Sequence, residues 1–365
     1  MYSWVALVKK ENHLICYKNL LLKRFNDFLF KFSSKREAIK SNYFDVLDGW
    51  RGISILLVLS AHLLPLGPKP LQLNFTAGVM GMSLFFTLSG FLIANFLIHR
   101  PNVYDFIIRR FFRILPLAWL YLVIAFLILN IDYERFISHI LFVANYPPMT
   151  LVHGTSHFWS LCVEIQFYVG IATLFLIFRT KALYIAAFLC FFFTWYRIND
   201  GVYVAINTYY RIDEILVGVI IALAYNDKLG KVLPKIFRSI NPSYVLVLFL
   251  ISCHPDGGPV NYFRPYLAAT LVASTIYAKE NVLTELLSLK ILTYLASISF
   301  ALYVIHPLLV NTWFGSGDTF ERYAKRPILF VVLFVLAHYS TFHYEKYWIN
   351  FAKKVTNKKR KKIIY

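Results

Sequence analysis

Apolar residues along this chain neither alternate nor keep to one helical face. They gather into unbroken runs, with charge, glycine and proline falling between them. Ten such runs lie near 49–66, 81–98, 114–131, 161–178, 182–196, 212–226, 242–254, 265–278, 291–312 and 327–345. Several are shorter than the ~20 residues that cross a bilayer upright. A hydrocarbon core nonetheless admits only elements that satisfy their own backbone, so each run is predicted to be a helix. The expected fold class is all-α, a polytopic transmembrane helical bundle of about ten spans.

Basic residues orient the bundle. With the N-terminus placed in the cytoplasm, 30 of the 38 lysines and arginines fall on the cytoplasmic side of a ten-span threading, the bias expected of inner loops. Both termini are therefore expected to be cytoplasmic. Residues 1–45 form a basic, partly amphipathic segment in which 17–33 mix Leu and Phe with Lys, Arg and Asn at roughly helical spacing. Such a segment either lies flat on the inner membrane surface or is a solvated tail. Lys9, Lys10, Lys23 and Arg24 interrupt any apolar core there, so no signal peptide is expected. The membrane domain is expected over 46–346, followed by a basic cytoplasmic tail, 347–365, facing anionic lipid.

Composition agrees with the pattern and removes several function classes. A chain that is 58% hydrophobic and 16% charged, with mean hydropathy +0.57, is too apolar for a soluble domain of 365 residues. The net charge of +19 sits in short clusters between apolar runs, which suits membrane topology better than nucleic acid. Cys16, Cys162, Cys190 and Cys253 show no paired spacing, so neither a disulfide framework nor a zinc site is indicated. There is no internal repeat, which weakens an inverted-repeat transporter reading, and no phosphate loop, nucleophile elbow or zinc-protease motif.

Ionisable groups inside a membrane are costly unless paired or wetted, so each is a functional candidate. Foremost is the stretch from Asp48-Gly49-Trp50-Arg51-Gly52 to His62. Eleven helical residues make about three turns plus ~20°, which points Arg51 and His62 the same way, roughly 16 Å apart. The pair is built to touch one long ligand at two depths. A neutral imidazole near mid-membrane can act as a general base; its bland alternative is a helix-to-helix hydrogen bond. Arg109, Arg110 and Arg113 follow the second run and suit phosphate, although topology alone also accounts for Arg109 and Arg110. Gly81 to Ile93 sets small residues among aromatics, either to wall a narrow channel or to pack helices closely. Glu164, Asp213 and His306 are expected toward the outer side, with Arg211 able to pair with Asp213, Pro307 kinking the ninth span and Glu345 snorkelling at the inner end of the last. Arginines inside, one imidazole midway and carboxylates outside suit an acyl-CoA reaching up to a sugar.

These residues resemble the acyltransferase-3 family of integral-membrane O-acyltransferases. The likeness is carried, in family order, by Arg51 in the Leu47–Gly52 stretch with His62 eleven residues on, and by Leu84-Phe85-Phe86 to Ser89-Gly90-Phe91. It continues through Arg110 to Pro116, Trp159-Ser160-Leu161 with Val163-Glu164, Gln166-Phe167-Tyr168, Asp213 with Gly218, and Tyr303 to Pro307. The resemblance implies transfer of an acyl group, usually acetyl, from cytoplasmic acyl-CoA to a hydroxyl of an envelope carbohydrate such as lipopolysaccharide O-antigen or exopolysaccharide, across the bacterial inner membrane. His62, Glu164 and Asp213 are then expected to be catalytic, and Arg51, Arg110, Arg113 and Ser89 to hold the donor. Acetyl-CoA is expected as co-substrate without a metal. The expected partners are a carbohydrate or lipid-linked glycan, membrane lipids and other envelope proteins, and no nucleic acid. Ser83 and Ile165 stand where relatives often carry acids. No C-terminal hydrolase-like domain of the kind some relatives carry is expected, so any second half-reaction is expected in the membrane domain or a partner. A lipid-linked-sugar transporter or flippase and a non-catalytic membrane sensor are the rival readings.

Overall fold

A computed structural model describes residues 45–129, 132–277 and 282–363; the amphipathic stretch expected at 17–33 lies outside them. Among the described residues every regular element is helical. The main helices are α1 (Asp45–Leu63), α2 (Leu73–His99), α3 (Val103–Leu129), α4 (Tyr133–Ile140), α5 (Phe158–Phe178), α6 (Ala182–Asn199) and α7 (Asp213–Tyr225). They continue with α8 (Val232–Ser239), α9 (Pro242–Cys253), α10 (Arg264–Tyr277), α11 (Val282–Leu287), α12 (Lys290–Val310), α13 (Thr319–Tyr339) and α14 (Lys346–Ile363).

Each of the ten apolar runs carries a helix. Among the described residues, six stretches have the length and apolarity of a membrane span, namely 45–63, 69–99, 103–129, 158–199, 290–310 and 319–357. A seventh is added if α8 and α9, bent by 92°, form one span. Helices α7, α9 and α10 have 13, 12 and 14 residues, short of the ~20 that cross a bilayer upright. The 158–199 stretch reverses direction at Arg179, whose φ is 54°. Tyr196, near the far end of α6, stacks on Tyr210, and nearby Thr208 hydrogen-bonds to Gln166 of α5.

Helix α1 is the axis of the bundle, with α2 and α12 packed along it and α7 packed on α2. Close approach is what the glycines provide. A Cβ on Gly90 would lie 1.9 Å from the Ile215 carbonyl, and one on Gly218 would lie 2.2 Å from that of Thr87, so α2 and α7 touch backbone to backbone. On the other side, Ser54 donates to the Gly81 carbonyl at 2.6 Å. Helix α1 ends at Leu63, because Pro65 disfavours helical backbone at the residue before it. His62 therefore sits in the last turn of the helix.

Helix α12 runs through Pro307 to Val310. One expectation changes: Glu345 does not snorkel. It is 5% exposed and lies in a π-helical segment, Ser340–Glu345, where its carboxylate accepts from Ser340 and Thr341.

Candidate active site

The residues of α1 that face inward are Arg51, Ser54, Ile55 and Val58, one or two per turn, and His62 continues the same stripe. Together with α2, α3, α5 and α12 they wall a corridor of three adjoining spaces, neighbours sharing lining residues. The first, about 220 Å³, lies between α3 and α14 and is lined by Phe96, Phe106, Arg109, Arg110, Arg113 and Lys353 among others. It shares Arg110 and Arg113 with a second space of about 40 Å³ that contains Arg51, Ser89, Glu164 and Tyr168. The third, about 20 Å³, shares Arg51, Phe85 and Phe300 with the second and ends at Val58 and Tyr303. The corridor is thus wide and cationic at one end, narrow and mostly apolar at the other.

Five of the seven expected site residues meet in the middle space: Arg51, Ser89, Arg110, Arg113 and Glu164. The Glu164 carboxylate accepts from Ser89 Oγ at 2.6 Å and from the Tyr168 hydroxyl. Its place is therefore beside the arginines, on their side of His62, and not outward of it as expected. One carboxylate among three guanidiniums leaves the middle space net positive, suited to an anion. Tyr168 is a wall residue; the sequence marked it only through the Gln166-Phe167-Tyr168 likeness, one helical turn after Glu164.

His62 stands at the opposite end. It is exposed, and its ring lies 5.4 Å from that of His306, which is 2% exposed. The orientation of His306 follows from Pro307. A proline at this position offers no N–H to the carbonyl four residues earlier, that of Tyr303. His306 Nδ1 takes up that free carbonyl at 2.8 Å and also reaches Leu302 O at 3.2 Å. Carbonyls only accept, so Nδ1 carries the proton and Nε2 keeps its lone pair. His157 continues the row, 5.9 Å from His306 and 5.6 Å from Tyr303. Tyr303 closes the end of the corridor by bonding across to Ser160 at 2.6 Å and to the His157 carbonyl at 2.7 Å.

Asp213 does not join this site. Its carboxylate pairs with Arg197 at 2.8 Å and accepts from Thr194 at 3.0 Å, all three groups buried. Neither does Arg211 pair with Asp213, as expected; it pairs with Glu214 at 3.0 Å, which also holds Arg264 at 2.9 Å. Carboxylates at the first turn of α7 are thus matched to guanidiniums from α6, α10 and the preceding loop. Burial of both members makes this a structural cluster, costly to break singly. Asp213 thus bonds between helices and lines none of the three spaces.

Comparison with known proteins agrees with the geometry. The acyltransferase-3 family model, described as an acyltransferase domain, matches residues 44–342. A Staphylococcus aureus strain COL protein named "Putative O-acetyltransferase" is 26% identical over 317 residues, covering 73% of this chain and 50% of its own length. Listeria monocytogenes peptidoglycan O-acetyltransferase OatA is 26% identical over 155 residues, 34% of this chain and 23% of that protein. The chain spans about half the length of the S. aureus relative it matches. No solved structure gives a significant match. With all of its corridor-lining residues except Ile349, Ala352 and Lys353 inside the matched region, this multi-pass membrane protein belongs to the acyltransferase-3 family.

Proposed function

We propose that the protein moves an acyl group, acetyl being the expected one, from cytoplasmic acyl-CoA to a carbohydrate hydroxyl at the outer face of the bacterial cytoplasmic membrane. The observation that carries this reading is the corridor itself: guanidiniums at a wide mouth, a narrow throat, and paired imidazoles at the far end of one helix. A diphosphate on a long thin arm fits that order, with its thioester beside His62. The arginine end then faces the cytoplasm and the histidine end the outer leaflet, which agrees with the positive-inside bias and puts both termini inside.

The chemistry is acyl substitution. His62 takes the proton of the acceptor hydroxyl as that oxygen attacks the thioester carbonyl; the C–S bond breaks and the CoA thiolate recovers the proton from His62. Alternatively the imidazole attacks first and carries the acyl group to the hydroxyl. Arg51, Arg110 and Arg113 hold phosphate, and Glu164, held by Ser89 and Tyr168, sets the spacing of those guanidiniums. The acceptor class is a surface or envelope glycan. Relatives named for peptidoglycan add the cell wall to lipopolysaccharide O-antigen and exopolysaccharide as candidates.

The test uses purified protein in nanodiscs, acetyl-CoA and a glycan acceptor. Wild type should release free thiol, and His62→Ala should not. Thiol release unchanged in His62→Ala, or none in wild type, would sink the reading. NMR of surface glycan from deletion and parent strains names the acceptor.

A further inference from the structure

The wide end of the corridor is completed by an element beyond the matched region. Helix α14 begins at Lys346, after the family match ends at residue 342, and its residues Ile349, Ala352 and Lys353 form one wall of the first space. It is held there by packing and by a polar pin. Trp348 and Phe351 pack on Phe112 of α3, and Arg109 Nη2 donates to the buried Thr356 hydroxyl at 3.1 Å. Arg109, Arg110, Arg113 and Lys353 all line this space, and no carboxylate does. Arg109 Nε is buried and without a hydrogen-bond partner. Four cations around a cavity of about 220 Å³, floored by Phe96 and Phe106, call for an anion carried on something flat.

We infer that this space binds the nucleotide end of the acyl donor, with Lys353 and Arg109 receiving a phosphate monoester on the ribose while Arg51, Arg110 and Arg113 hold the diphosphate. The assignment rests on the acyl-transfer reading and adds a residue set to it. Arg51 and His62 are separated by eleven residues, ~16 Å of helix, so a donor whose thioester is at His62 has its diphosphate near Arg51. The remaining part, base and ribose phosphate, then falls on the α14 side. Helix α14 is thereby a selectivity element: it distinguishes a full CoA thioester from a donor that lacks the ribose phosphate.

The experiment compares kcat/KM for acetyl-CoA and for acetyl-dephospho-CoA, which lacks only that phosphate, using the full chain in phosphatidylcholine nanodiscs. Wild type should prefer acetyl-CoA by about tenfold, the value of one charge-assisted contact. Lys353→Ala should bring the ratio close to one through a higher KM for acetyl-CoA, and Lys353→Arg should retain it. A merely structural lysine would lower both rates together and leave the ratio alone. Equal use of the two donors by wild type, or an undiminished preference in Lys353→Ala, overturns the assignment. Loss of the preference on adding phosphatidylglycerol would give the space to a lipid headgroup and overturn it as well. If wild type consumes neither thioester, the acyl-transfer reading fails, and titration with adenosine 3′,5′-bisphosphate decides the pocket on its own. Saturable binding weakened in Lys353→Ala supports the pocket; absence of binding overturns it.

Discussion

At the scale of single residues, the coupling of Pro307 to His306 is the most informative detail. The carbonyl that proline leaves free fixes which nitrogen of the neighbouring ring is protonated. Pro307→Ala returns an N–H to compete for the Tyr303 carbonyl, so acyl transfer should drop several-fold in kcat, with KM and the melting temperature little changed. Asp213 predicts the opposite. Asp213→Asn leaves Arg197 buried without its charge partner, and about 3–5 kcal/mol of stability should be lost, read as a lower unfolding temperature in detergent. The two carboxylates that sequence reading assigned to chemistry thus separate. Glu164 shares a space with Arg51, Arg110 and Arg113. The partner of Asp213, Arg197, comes from another helix, sixteen residues away, and no local spacing reveals that pairing.

At the scale of elements, the apolar runs located every long helix except α14, since a run of apolar residues in a bilayer has no other stable form. What it could not show was which helices touch. The α2–α7 contact depends on glycines 128 positions apart, and only the missing Cβ atoms make it possible. Gly218→Ala forces a side chain within 2.2 Å of the Thr87 carbonyl, and overpacking of this kind costs about 1–3 kcal/mol. The expected result is a lower yield of folded protein and a broader size-exclusion peak, with wild-type behaviour counting against the close contact. Helix α14 was read as a basic tail facing anionic lipid, because its lysines and arginine outnumber its apolar residues. The structure uses the few that remain, Trp348, Phe351 and Ala352, to dock it on α3.

For the whole molecule, the proposed direction of transfer sets the arginine end of the corridor in the cytoplasm and the histidine end outside. Cysteines placed at Asp256 and Asp227, in turns at opposite ends of the bundle, report this directly. In intact cells a membrane-impermeant maleimide should label the Asp256→Cys protein, while Asp227→Cys should react only after permeabilisation; the reverse pattern would invert the proposed direction of transfer. The gradient from guanidinium to imidazole was legible in outline from Arg51 and His62 alone. Its finer order was not, because depth depends on where each helix starts and stops, and α1 stops at Leu63, one residue after His62.

The hydroxyl of Tyr303, tied to Ser160 and to the His157 carbonyl, carries a consequence for the host cell. A water-filled duct joining the two aqueous compartments would short-circuit the ion gradients on which an energised membrane depends. In the proposed transfer, a phenol bonded across the far end of the corridor would let the protein serve both compartments while remaining electrically tight.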